Sequence, residues 1–444
     1  MRALWPSGGL WRHPDFLKLW TAETISQFGT QVSGLALPFV AIVVLDASAF
    51  AVASLGTVEF LPFLLFTLPA GVWVDRLRRR MILIVADYGR AFLLLSVPIA
   101  YAFDALTLPQ LFVVGFLVGT FTVFFDVAYQ SYLPSLVERE QIIEGNSKLE
   151  VSRTIAQISG PGVAGGLIGL ITAPYAVLVD AISFLASGAF LTGIRKHEEK
   201  PAVPEGAKPR MRTELWEGLQ YVVRHPLLRP QAICTGTSNF FSNVMFSVFL
   251  VYAVRTLHLS AAEIGIIFTL GSLGGLVGAL TSQRVSKRFG VGHTTIAMTF
   301  IFGTAGFLVP LASQEFPYPY LIASLLISSF AIVVYNITQV SLRQAIAPQR
   351  IQGRMNSVMR FLVWGTIPLG SMTGGVLATT IGLRPTLFVG AAGALLSTLP
   401  ILLSRAQRTL VEFPGPEEPE GEVGGIGPGD MVVVPGAVPV PEEP

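Results

Sequence analysis

The chain has 444 residues, of which 52% are hydrophobic and only 13% charged, and its mean hydropathy is +0.61. Too little polar surface is encoded for a soluble globular protein of this length, so the chain belongs in a bilayer. A formal net charge of +2 supplies no basic field for nucleic acid, and the single cysteine, Cys234, excludes an intrachain disulfide and a cysteine metal site.

Residues 1–18 are mixed and tryptophan-rich, with no small-residue cleavage site behind a short apolar core. No removable signal peptide is read there, and the first span is expected to direct insertion. A span needs about 20 apolar residues, and twelve such runs follow one another. They lie near 17–45, 50–74, 81–103, 108–133, 149–172, 174–194, 229–256, 261–284, 291–312, 317–343, 357–381 and 384–404. The loops alternate in charge. Arg76, Arg78, Arg79 and Arg80 follow run two, Arg139 and Lys148 run four, and Arg284, Lys287 and Arg288 run eight, while Arg255 and Arg384 are the main exceptions on the other side. By the positive-inside rule both termini are cytoplasmic, and the number of spans is even.

The expected organisation is a cytoplasmic N-terminus (1–16), a first six-helix bundle (17–194), a cytoplasmic connector (195–228), a second six-helix bundle (229–408) and a disordered cytoplasmic tail (409–444). Within the connector, Leu215, Trp216, Leu219, Tyr221 and Val222 alternate with Arg212, Glu214 and Glu217, which predicts a helix lying on the membrane surface. The tail is rich in Pro, Gly and Glu. The two halves echo each other: Asn146-Ser147 returns 210 residues later as Asn356-Ser357, and Arg76, Arg79 and Arg80 return 208 residues later as Arg284, Lys287 and Arg288. Asp75 returns as Gln283, so the acid survives only in the first half.

The charge burst Gly71-Val-Trp-Val-Asp75-Arg76-Leu-Arg78-Arg79-Arg80 between runs two and three resembles the corresponding loop of the major facilitator superfamily. Phe16-Leu-Lys-Leu-Trp20, the stretch from Phe125-Asp126 to Leu133-Pro134, and Asp180-Ala-Ile-Ser-Phe184 are similar to the branch of bacterial enterobactin exporters and macrolide efflux pumps. The resemblance implies an all-α polytopic protein of twelve transmembrane helices in two pseudo-symmetric halves, with the substrate between them near mid-membrane. Gly160-Pro161-Gly162-Val163-Ala164-Gly165-Gly166 looks like the family's antiporter signature, which implies export; small-residue helix packing is the plainer reading of the same residues. An arginine that many family members carry in run four is absent, since 115–130 holds no basic residue.

Charges inside spans are functional candidates, because each costs about 2.5–3.5 kcal/mol at a helix centre unless paired or hydrated. Glu23, one turn from Gln27, stands where efflux relatives often hold an embedded acid, and is expected to couple to protons or substrate unless it sits hydrated near the cytoplasmic end. Glu59, Asp87 and Arg90 are expected to form a compact set, with Asp87 and Arg90 paired three residues apart on one helix. Asp180 either lines the cavity or anchors packing near the external side. Asp75, Arg76 and Asp126 are expected to form a latch that stabilises the outward-facing state, with Arg79 a further partner for Asp126 and Asn356 and Arg360 as partners across the gate.

The expected function is secondary active efflux of a hydrophobic or amphipathic small molecule, such as a drug, a macrolide-like compound or a siderophore, by proton antiport and alternating access. The expected setting is the inner membrane, with a monomer, substrate, protons and lipid as the parties. A proton-coupled importer, a channel and a receptor are the alternatives. There is no phosphate-binding loop, no metal cluster and no nucleophile–base pair, so neither an ATP-driven pump, an enzyme, a metal site nor any other cofactor is expected.

Overall fold

Hydrocarbon offers no partner for a backbone N–H or C=O, so an apolar run that crosses it must close its hydrogen bonds internally, as a helix. The computed structural model describes residues 9–74, 77–196, 198, 211–347, 355, 358–359, 361 and 363–412, and among these there are helices and no strand. The first half comprises α1 (Pro14–Phe39), α2 (Ala49–Val74), α3 (Arg79–Ala102), α4 (Leu108–Leu136), α5 (Ile142–Ile171) and α6 (Ala173–Thr192). The connector forms α7 (Met211–Arg224). The second half comprises α8 (Leu228–Val251), α9 (Ala261–Phe289), α10 (Val291–Gly306, continued by Leu308–Leu311), α11 (Pro317–Ile346), α12 (Thr366–Thr380) and α13 (Leu383–Leu396, continued by Leu399–Leu403). Eleven of these segments are long and apolar enough to cross a membrane, and α12 lies within the remaining expected run. The connector patch is helical as its pattern predicts, with Val222 buried against the second half and Trp216 exposed.

Each half brings its chain ends to one face, here called the terminal face. There Asp15 at the start of α1 accepts from the backbone N–H of Arg195 and Lys196 just beyond α6, at 3.1 and 2.9 Å. The opposite, distal face carries the turns at Asp46, Asp104, Thr172 and His258, the four non-glycine residues with positive φ among the described residues. Two of these turns are twins. α1 widens into a π turn at Val40–Val44 and α8 does the same at Tyr252–Thr256, 212 residues on (40 to 252). Leu45 and Leu257 donate to the first carbonyl of each turn at 3.1 Å, and Asp46 and His258 then take equivalent positive-φ positions. The repeat seen in the loop charges is thus also a repeat of backbone conformation.

The halves meet on the distal side. One apolar core joins residues of both, from Val32 and Leu35 through Phe249 and Ile264 to Leu387. On the terminal side the cores are separate: Phe16, Leu83 and Tyr132 belong to one, and Leu228, Leu342 and Ile346 to another. Glycine makes the distal approach close enough. A Cβ at Gly265 would lie 2.5 Å from the carbonyl oxygen of Pro161, and one at Gly165 would collide with the carbonyl oxygen of Ala261, so α5 and α9 touch backbone to backbone. The second seam pairs α2 with α12, where a Cβ at Gly375 would lie 3.1 Å from Phe50 Cα.

Gly166, one residue further along α5, has nothing within 4 Å of its Cβ position. Gly165→Ala is therefore expected to lower the thermal midpoint of the purified protein, by overpacking of about 1–3 kcal/mol. Gly166→Ala is expected to leave it unchanged or raise it slightly, through helix propensity alone. Thermal unfolding of the two variants in one detergent checks the contrast.

Candidate functional site

A guanidinium buried among helices needs a counter-charge, and α3 provides one on its own surface. Arg90 donates through Nη2 to Asp87 Oδ1 at 2.5 Å, and the other oxygen of Asp87 accepts from Ser187 of α6 at 2.6 Å. The planar cation lies between two rings, 4.3 Å from the centroid of Phe125 on α4 and 4.1 Å from that of Phe184 on α6. Both charged residues are at most 4% exposed. The pair expected from i,i+3 spacing is present and joins α3, α4 and α6.

Glu23 is 6% exposed, which removes the reading of a hydrated, idle acid. Its Oε1 accepts from Gln27 Nε2 at 2.7 Å, while Oε2 is buried with no partner among the described residues. Asp126, Arg90 and Asp87 are the charges that reach it. Asp126 is exposed, as is Arg153 on α5, and Arg90 and Arg153 are the cations that act on it. Exposed charges within a span are tolerated where they meet water rather than lipid, so water is expected on the exposed side of α4 and α5 at Asp126 and Arg153, with Glu23 within electrostatic reach of Asp126. Tyr129, one turn along α4, stacks on Phe125 and feels the charge of Glu23, Asp126 and Arg153.

Glu59 does not join this set. It packs into a groove of α4, where a Cβ at Gly115 would lie 2.8 Å from its Cγ and one at Gly119 would collide with its backbone oxygen. Its Oε1 is buried without a hydrogen bond among the described residues. The expected compact cluster is therefore a pair, with Glu59 elsewhere, because Glu59 packs into the small-residue face of α4, where neither Asp87 nor Arg90 acts on it. Asp180 resolves to packing: it is 1% exposed, accepts from Ser183 at 3.0 Å and lies against Gly29 where α1 and α6 touch.

In the expected antiporter motif, Gly160 is held against Gln31 of α1, Pro161 and Gly165 form the seam with α9, and Gly166 faces open space. The loop motif divides similarly. Gly71 has no neighbour within 4 Å of its Cβ position, and Asp75, Arg76, Asn356 and Arg360 lie outside the described residues. Arg79 is not the partner of Asp126. Its Nη1 is 3.9 Å from Glu198 Oε1, and Glu198 also accepts from the backbone N–H of Arg79 and Arg80 at 3.0 Å each, capping α3. Arg80 donates to the carbonyls of Leu191 and Thr192 at the end of α6. In this conformation Arg79 and Arg80 fasten the start of α3 to Glu198 and to the end of α6.

Three charged residues were not singled out as site candidates from sequence. Glu198 sits in a charge-rich connector with no periodicity to mark it. Arg255 was visible only as an exception to the charge rule. Its Nη2 donates across the distal face to Asp46 Oδ1 at 2.6 Å and to the carbonyl of Ala47 at 2.9 Å, joining the two π turns. Arg343 lines a cavity of about 490 Å³ within the second half. Another hollow of about 560 Å³, between α3 and α4 at Met81, Val85, Phe121 and Phe124, is apolar and rimmed by exposed side chains, away from the acids.

Residues 9–412 match the family described as transmembrane secretion effectors of the major facilitator superfamily. The multidrug efflux pump Tap of Mycolicibacterium fortuitum is 28% identical over 394 residues, covering 84% of this chain and 91% of that protein. The enterobactin exporter EntS of Citrobacter koseri is 22% identical over 352 residues, covering 78% and 81%. A crystal structure of a bacterial homologue of the iron transporter ferroportin, in its inward-facing state, superposes with a TM-score of 0.73 at 16% identity, covering 89% of this chain and 99% of that one. With twelve-helix architecture, an internal repeat and a family match over nearly its whole length, the chain belongs to the major facilitator superfamily as a membrane transporter of the transmembrane secretion effector family.

Proposed function

We propose that the protein exports a hydrophobic or amphipathic small molecule, of the kind of a drug, a macrolide-like compound or a siderophore, by exchange with protons. The observation that carries this reading is Glu23: a buried carboxylate, which we place in the wall of a water-filled cleft, with one oxygen held by Gln27 and the other left without a partner among the described residues. Protonation changes its charge by a full unit where no fixed cation is paired with it, so proton and cargo can compete for the state of the cleft. Arg90 is engaged by Asp87 and reaches Glu23 only at longer range. The names of Tap and EntS support export as the direction.

In this reading the terminal face is cytoplasmic in the inner membrane, consistent with its arginine-rich loops. The first bundle spans 17–194, the connector 195–228 and the second bundle 229–408, and the transporter acts as a monomer. The closed distal seam is the outer gate and the cleft opens inward. Alternating access then requires the Gly165–Gly265 and Phe50–Gly375 seams to part while the terminal ends close. There Asp75 and Arg76, with Asn356 and Arg360 across from them, are the proposed inner latch.

Glu23→Gln is expected to abolish proton-driven dye efflux from everted vesicles or proteoliposomes while leaving the thermal midpoint of the purified protein intact. Wild-type transport in that variant would remove Glu23 from the coupling. Asp46→Ala tests the outer gate. Asp46 is 93% exposed in its pair with Arg255, and an exposed ion pair contributes about 1 kcal/mol or less. The expected shift toward the outward-open state is therefore no more than about fivefold, read from spin-label distances across the distal face. Gly165→Leu, with bulk in the seam, is expected to keep the gate from closing.

A further inference from the structure

The second half differs from the first in one respect that its sequence settles for every residue: between 229 and 408 it contains only two acids, Glu263 and Glu315. Glu263 is occupied at the distal end of α9, capping the helix with Ser260 and accepting from Tyr318, and Glu315 lies in the turn before α11. Arg343 of α11 therefore has no carboxylate available at its own depth within its half. It forms no ion pair among the described residues, and its Nε is buried without a hydrogen-bond partner. An arginine near a helix end ordinarily extends toward the headgroups. Here its side chain turns onto the wall of the 490 Å³ chamber between α8, α10, α11 and the segment leading into α12.

The chamber has the rest of a binding site's chemistry. Asn239, Tyr335, Asn336 and Gln339 line it beside Arg343, and Gln339, only 5% exposed, has its Oε1 buried and unpartnered. Met298, Phe302 and Trp364 give it an apolar wall. Trp364 also meets Phe60 and Phe63 of α2, 6.0 and 6.1 Å between centroids, so this wall stands where the halves adjoin. A cation with no ion pair among the described residues, amide and phenol side chains beside it and an aromatic wall in a cavity of ligand size form a site for one chemical class.

We propose that this chamber binds the anionic head of an amphiphile, a carboxylate, sulfonate or phosphate held by Arg343 with its apolar body against Phe302 and Trp364. The proposal deepens the export reading and rests on it for the identification of the ligand as cargo. Protons and anions would then be handled by different halves, the acids of α1 and α4 taking the proton and Arg343 of α11 the opposite charge.

The test is binding to the full-length protein in nanodiscs without a proton gradient. The probes are 1-anilinonaphthalene-8-sulfonate and N-phenyl-1-naphthylamine, which share a ring system and differ by the sulfonate. Arg343→Gln is expected to weaken the sulfonate probe by about tenfold or more, the loss of one charge-assisted contact, and to leave the neutral probe unchanged. Arg343→Lys, which keeps the charge, is expected to restore most of the affinity for the sulfonate. Equal losses for both probes would reduce Arg343 to a structural role, and unchanged binding of both would overturn the site. Competition by phosphatidylglycerol against the sulfonate probe would assign the chamber to a lipid headgroup, and its absence to a free amphiphile; either keeps the anion site. Because no gradient is present, a failure here leaves proton-driven efflux standing. Intact binding with no gradient-driven transport would overturn the coupling alone.

Discussion

The low dielectric of the bilayer is the constraint on which the rest of this structure depends, because it makes each embedded charge either matched, hydrated or expensive. Arg90 shows the matched case. Its carboxylate partner, two aromatic faces and the Ser187 hydroxyl are drawn from three helices. Removing one member of such a buried pair ordinarily costs about 3–5 kcal/mol, since the other is left uncompensated. The packing of α3 against α4 and α6 is therefore tied to the electrostatics of one side chain. Asp126 and Arg153, exposed on α4 and α5, stand for the hydrated case. Glu23 lies between these two cases, half-satisfied, and it is the group whose charge state the surrounding helices leave open.

The same constraint separates the halves. Their backbones repeat closely enough that both place a π turn and a positive-φ residue at equivalent distal positions. Their embedded charges do not repeat. The first half concentrates acids, whereas the second carries arginines and, within its spans, only Glu263 at the distal end of α9. A duplicated scaffold with unduplicated charges can rock symmetrically while binding asymmetrically, so the chemistry of transport need not follow the symmetry of the motion.

Much of the architecture is legible in the sequence because hydrophobic length is a one-dimensional signal. The runs near 50–74 and 317–343 became α2 at Ala49–Val74 and α11 at Pro317–Ile346 with boundaries a few residues apart. The amphipathic stretch from Met211 became α7. The site was less legible, for a geometric reason. Spacing on one helix identified Asp87 with Arg90, but whether Glu59 faces that pair depends on the rotation of α2 against α4, which glycines 115 and 119 determine through close approach. Arg79 likewise found Glu198, 119 residues away, rather than Asp126. The isolation of Arg343 is legible in the sequence, where Glu263 and Glu315 are the two acids between 229 and 408.

The distal gate shows how magnitudes rank its parts. The Arg255–Asp46 bridge is the conspicuous cross-half contact, yet Asp46 is almost wholly in solvent, and such a pair contributes at most about 1 kcal/mol. The apolar core shared by both halves is extensive, and apolar burial stabilises by about 25 cal/mol for each Å² removed from water. In the part of the interface that meets lipid, that term shrinks, because lipid tails are as apolar as the helix surface; close packing through Gly165, Gly265 and Gly375 then decides the contact. Packing of this kind is short-ranged. It is lost within the first ångström of separation, which allows a gate without a strong ionic bond to be well closed in one state and release cleanly into the other. The ion pair's part is orientation: Arg255 also donates to the Ala47 carbonyl, so it sets the register in which the two π turns come together.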